Sequence, residues 1–201
     1  MSPVRQQTYS TVAIILHWLI AAAIISLIVA GWWMTGAIHK PESKALAFKV
    51  YQLHKSLGLT VLALSALRLA WRLANPPPPL PASMTRFERT AADLTHAAFY
   101  VLMIAAPLAG WAMVSSSPLG LPTIVFGLFE WPHIPALEAL TDKKPTEALF
   151  KSAHEFMGYG LAALLVLHVA AALKHHFVNR DGVLARMLPF TRRRAPKTSI
   201  G

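Results

Sequence analysis

The 201-residue chain contains no cysteine. That absence excludes disulfides, thiolate-bound zinc, iron–sulfur clusters and covalently attached c-type haem, which needs a C-x-x-C-H motif. Metal chemistry is left to nine histidines, the carboxylates and the methionines. Charge is also scarce, at 14% of residues, and acids are scarcest: nine against 19 basic residues, a formal net charge of +10. A basic excess in a soluble chain raises nucleic-acid binding. Here 55% of residues are apolar and the mean hydropathy is +0.46. The bases do not interleave with groove-reading polar residues, so no nucleic-acid partner is expected. High hydrophobicity assigns the bases instead to the loops of a membrane protein.

A helix needs about 20 mainly apolar residues to cross a bilayer. Four stretches qualify, at residues 12–34, 50–73, 94–114 and 152–177. The expected fold is therefore an all-α membrane protein, a four-helix transmembrane bundle forming one domain over residues 1–201. The first stretch is too long for a cleaved signal peptide, and no A-x-A-like site follows it. Arg68 and Arg72 close the second, where long side chains can snorkel. "NPPPPLP" at 75–81 is a stiff, non-helical link. Pro107 and Gly110 read as an ordinary kink in the third span. The long connection 115–151 contains "TIVFGLFEWPHIPALEAL", apolar enough to lie on the membrane surface.

With four spans both termini share a side. The terminal segments and the second connection carry 12 basic residues, every arginine among them, against 7 lysines on the opposite side. The positive-inside rule then places both termini in the cytoplasm.

Five histidines fall within spans: His17, His54, His96, His154 and His168. Ionisable groups there are costly and face the bundle interior. One alone reads as a packed, hydrogen-bonded side chain; five on four helices ask for a common cause. Span direction sorts four of them into two layers, His17 with His168 inside and His54 with His154 outside. On the fourth span, His154 and His168 are 14 residues apart, about 40° apart in direction and about 21 Å along the axis. That separation suits two stacked cofactors. Gly158 and Ala162 lie between them on the same face, small enough to admit a flat macrocycle or to allow close helix packing. Zinc wants four ligands in one place, which two layers of two do not offer. Paired neutral imidazoles on opposite sides of a flat ring suit bis-histidine haem, built for single-electron transfer.

The residues "ILHWL" (15–19), "YQLHKSLG" (51–58), "KSAHEFMGYG" (151–160) and "GLAALLVLHVAAALKHHF" (160–177), with the proline-rich link, resemble the prokaryotic cytochrome b561 family of di-haem membrane cytochromes. The resemblance covers nearly the whole chain. It implies two haem b groups with bis-histidine iron, His17 and His168 on the inner one and His54 and His154 on the outer, in a bacterial inner membrane. Some members are superoxide oxidases, which take electrons from periplasmic superoxide and reduce ubiquinone; by that resemblance His175 would lie near the quinone. His176 and Lys174 beside it also suit a helix end and the topology rule.

His96, at inner depth, has several readings: replacing His17, bonding a haem propionate or a quinone oxygen, or sitting in a helix's first turn beside Asp93. The family pattern leaves it unligated. Lys40, Lys44, Lys49 and Lys55 surround the outer mouth near His54, with Glu42 the one nearby acid. They read as a local anion-attracting patch or as interface anchors. Two other classes stay open. One is a membrane-anchor cytochrome b subunit passing electrons for a dehydrogenase or hydrogenase, its long outer loop docking that redox partner. The other is a proton or metal transporter, which would need broken spans.

Overall fold

The computed structural model describes residues 8–189. Arg5, Arg192, Arg193, Arg194 and Lys197 of the charge count lie outside the described residues.

Four long helices dominate: α1 (Thr11–Ala37), α2 (Lys44–Ala74), α3 (Arg86–Ser115) and, after a short α4 (Pro135–Glu138), α5 (Lys144–Lys174). Each is long and apolar enough to cross a membrane. At 27 to 31 residues they run to roughly 40–46 Å at 1.5 Å per residue. That exceeds the hydrocarbon thickness, so their ends reach the headgroup layer.

Local chemistry sets the ends. Ser10 caps α1, its hydroxyl accepting from Ala13 N at 3.3 Å. α2 stops at Asn75, ahead of the four prolines, which lack backbone donors. Thr85 opens α3 with a complete capping box: Glu88 N donates to Thr85 Oγ1 at 3.2 Å and Thr85 N to Glu88 Oε2 at 2.8 Å. Pro145 stands in the first turn of α5, where a missing N–H is harmless. Pro107 lies inside α3 without ending it.

α1 packs on α2, α2 on α3, and α3 on α5, whereas α5 stands off from α1 and α2. Ile20, Ile24, Val61, Met103, Ala106 and Leu161 form the buried core. They lie midway along the four helices, an apolar septum between the two bundle ends. One end carries the starts of α1 and α3 and the ends of α2 and α5; we call it the terminal end, and the other the hairpin end.

The hairpin end is named for a feature the sequence reading did not contain. Thr123–Val125 (β1) and Phe129–Trp131 (β2) pair antiparallel, with Thr123 opposite Trp131 and Val125 opposite Phe129. Phe126 and Gly127 turn the chain at positive φ, 49° and 75°, and Leu128 N donates to Val125 O at 2.9 Å. The hairpin is fastened to α2. The fully buried Ser56 hydroxyl accepts from Phe126 N at 3.0 Å, and its one hydrogen is shared between Gln52 O at 2.8 Å and Ile124 O at 3.3 Å. Gln52 accepts from Ile124 N and donates to Pro122 O.

Candidate functional site

The four long helices bring histidines together in two places, one at each end of the core. At the hairpin end, His54 of α2 and His154 of α5 face each other with ring centroids 6.0 Å apart and planes at 75°. At the terminal end, His17 of α1 and His168 of α5 stand 6.2 Å apart at 64°. Both pairs reach across the gap that α5 keeps from α1 and α2.

Two imidazoles bound to one iron from opposite sides hold their centroids roughly 6 Å apart, about 2 Å for each metal–nitrogen bond plus about 1 Å for each ring radius. The observed separations match that requirement. Nδ1 of His17 and of His54 are buried and have no hydrogen-bond partner among the described residues. Buried polar atoms in that condition are few in folded proteins. His154 is oriented differently: Nδ1 sits 2.8 Å from Ala106 O, to which it can only donate. That fixes the tautomer and leaves Nε2 with a free lone pair, the arrangement usual for metal-bound histidine.

Two glycines lie against the hairpin-end rings, Gly31 at ordinary contact distance and Gly110 closer, and neither was read from the sequence. A Cβ on Gly31 of α1 would lie 3.5 Å from His54 Cε1. One on Gly110 of α3 would lie 3.1 Å from both Cε1 and Nδ1 of His154, tighter than ordinary contact. Gly110 is therefore more than part of a kink with Pro107: its missing side chain lets the His154 ring lie against α3 and reach Ala106 O. A Cβ on Gly158 would meet nothing within 4 Å, consistent with the room expected between the two layers.

His168 has a second neighbour. His96 of α3 stands 6.2 Å from it at 62°, and the Phe99 ring 5.5 Å away. Distance alone thus leaves two candidates opposite His168; His17, unlike His96, keeps an orphaned buried nitrogen. Arg68 does not simply snorkel. Its guanidinium carbon lies 5.9 Å from the centre of the Tyr100 ring on α3. His39 is exposed between α1 and α2, and His133 lies beside Glu138 at 3.5 Å; neither joins a pair.

The outer lysines divide. Lys55 Nζ donates to Pro122 O at 2.7 Å and is committed to holding the loop. Lys40, Lys44 and Lys49 make no such bond to the hairpin. At the other end, α5 widens into a π-helical turn, His175–Asn179. His175 is buried there against Asp181, whereas His176 is exposed. Lys174 leaves the group, its ammonium bonding Glu88 Oε1 of α3 at 2.7 Å.

The family model described as prokaryotic cytochrome b561 matches residues 8–190. "Cytochrome b561 homolog 2" of Escherichia coli (strain K12) is 32% identical over 189 residues, covering 90% of this chain and 92% of the relative. "Cytochrome b561 homolog 1" of the same organism is 28% identical over 183 residues, covering 90% and 97%. "Probable superoxide oxidase CybB" of Yersinia pestis is 31% identical over 186 residues, covering 90% and 96%.

Proposed function

Because the chain belongs to the prokaryotic cytochrome b561 family, whose members carry electrons in the membrane with haem b, we propose that it is a superoxide:ubiquinone oxidoreductase of the bacterial inner membrane. Its net reaction oxidises two superoxide ions to dioxygen and reduces one ubiquinone with two electrons and two protons. The carrying observation is the pair of facing imidazoles at each end of the bundle, 6.0 Å and 6.2 Å apart. A relative named a probable superoxide oxidase, 31% identical over nearly its whole length, supports the choice of reaction.

In this reading His54 and His154 would hold one haem b at the periplasmic, hairpin end, and His17 and His168 would hold a second at the cytoplasmic, terminal end. Held between two imidazoles, haem b would supply single-electron transfer rather than dioxygen activation. The rest is the work of the chain. Ala106 O and Gly110 orient His154; Gly31 admits His54. The apolar septum of Ile20, Val61 and Leu161 keeps water from the space between the layers. Lys40, Lys44 and Lys49 draw the superoxide anion toward the hairpin end, an effect that weakens with salt. Oxidising superoxide requires no proton, so no acid is needed there. Ubiquinone does require protons, and in this reading His175, in the turn that follows α5, contacts it.

The test is a stopped-flow haem spectrum of the purified protein mixed with superoxide and then with a short-chain ubiquinone. Rapid haem reduction followed by quinone-dependent reoxidation supports the proposal. Failure of superoxide to reduce the haems rejects the oxidase and leaves an electron carrier for a protein donor.

A further inference from the structure

The turn beyond α5 holds a buried acid–imidazole pair that the electron path does not use. We propose that Asp181 is a positioning residue for His175, holding Nδ1–H so that Nε2 is the nitrogen offered to the quinone oxygen; this rests on the reading of His175 as the quinone contact.

The geometry is specific. α-Helical hydrogen bonding gives way to a π turn at His175–Asn179, a rare device that is frequent at functional sites. Arg180 then takes the left-handed conformation, φ 52° and ψ 35°, which folds the chain back on itself. Asp181 N donates to His175 O at 3.4 Å. Its carboxylate meets His175 Nδ1 at 2.5 Å through Oδ2, while Oδ1 accepts from Val183 N at 3.1 Å. The two side chains are only 9% and 5% exposed. Asn179 presents its amide nitrogen, itself a donor, to the same Nδ1 at 3.2 Å, so it does not compete with Asp181 for the ring hydrogen. An ionised carboxylate can only accept, so the shared hydrogen belongs to the ring, and Nε2 is the atom left for chemistry.

Asp181 is also anchored from beyond. In the 3-10 turn Leu184–Met187, Arg186 donates to Pro79 O at 2.8 Å, and Trp18 of α1 donates to Met187 O at 2.8 Å. This strap ties the segment that follows Asp181 to the proline link and to α1. Near the pair in sequence, Lys174 is ion-paired with Glu88, His176 is exposed, and Arg186 bonds Pro79 O through one terminal nitrogen while its buried Nε has no partner among the described residues.

The chemistry balances. Ubiquinone takes two electrons, from two superoxide ions, and two protons. The protonated ring passes its Nε2 proton to a quinone oxygen and becomes neutral, Nδ1–H staying on Asp181. Water at the terminal end returns a proton to Nε2 before the second transfer.

The test compares wild-type haem-loaded protein with Asp181→Asn, Asp181→Glu and His175→Gln. Haem reoxidation by a short-chain ubiquinone is followed in water and deuterium oxide. Asp181→Asn should slow reoxidation by roughly tenfold or more and raise its solvent isotope effect, leaving haem content and reduction by superoxide unchanged. Asp181→Glu should recover part of the rate. In quinone-free protein with 15N-labelled histidine, NMR should find His175 protonated at Nδ1, and Asp181→Asn should erase that preference. Wild-type reoxidation in Asp181→Asn, or haem loss in proportion to the rate, overturns the positioning role. If His175→Gln is slow while Asp181→Asn is not, the positioning role alone fails; if His175→Gln reoxidises normally, the quinone reading fails with it.

Discussion

At the scale of single residues, the five histidines within the long helices sort by what each ring nitrogen touches. His154 is held by Ala106 O, His17 and His54 keep orphaned nitrogens, and His168 stands between His17 and His96 at the same 6.2 Å. Replacing His168 by Ala should remove one haem of two, counted by a pyridine haemochrome assay. On the proposal that His17 is the partner of His168, His17→Ala should lose that same haem, and His96→Ala should keep both. Gly110 gives a prediction the histidines cannot. Since a Cβ there lies 3.1 Å from the His154 ring, Gly110→Val should push the ring from Ala106 O and roughly halve the haem content, although no ligand has changed. The histidines were legible in the sequence because an imidazole in an apolar run stands out. Gly31 and Gly110 were not, because glycine is common in membrane helices and its use here depends on which ring lies opposite.

At the scale of elements, the helices follow directly from long apolar runs and capping chemistry, but the hairpin does not. β1 and β2 are three residues each, and "TIVFGLFEW" reads equally as an apolar surface segment. The signal that marks it in hindsight is Gly127 between β-branched and aromatic residues. What makes the hairpin form is tertiary: Ser56 and Gln52 of α2 supply the hydrogen bonds its first strand lacks. Ser56→Ala would remove the acceptor of Phe126 N and a donor to Ile124 O, both part-buried, a cost of about 0.5–1.5 kcal/mol. It should raise hydrogen exchange and protease cleavage across residues 123–131 while leaving exchange in α1 and α3 near wild type. The same division applies to two lysines. As sequence they join basic clusters; in the fold Lys55 is tied to Pro122 O and Lys174 to Glu88.

At the scale of the whole molecule, apolar side chains such as Ile15, Leu19, Val29, Val101 and Leu167 point outward and are more than half exposed, a surface that needs lipid around it. Trp18 and Trp71 lie toward the terminal end, and Trp32, Trp33, Trp111 and Trp131 toward the hairpin end, as interfacial belts require. With the arginines at the terminal end, we propose that this end faces the cytoplasm. A C-terminal green fluorescent protein fusion should then fluoresce and a C-terminal alkaline phosphatase fusion should be inactive. A phosphatase fused after Leu119 should be active. The reverse pattern would invert the bundle and move the lysine patch away from periplasmic superoxide.

Composition and spacing alone determined that this chain crosses a membrane four times, and that histidines sit at two depths, because hydrocarbon selects residues one at a time and helical rise converts spacing into depth. Which side chains meet was decided only by packing. α5 rests on α3 and stands away from α1 and α2, so imidazoles rather than backbones bridge that gap. Gly110 gives His154 its seat, Ser56 gives the hairpin its partner, and a left-handed Arg180 brings Asp181 back onto His175. Each is a contact between parts of the chain whose local sequence is indifferent to it, and such contacts exist only once the helices have chosen their neighbours.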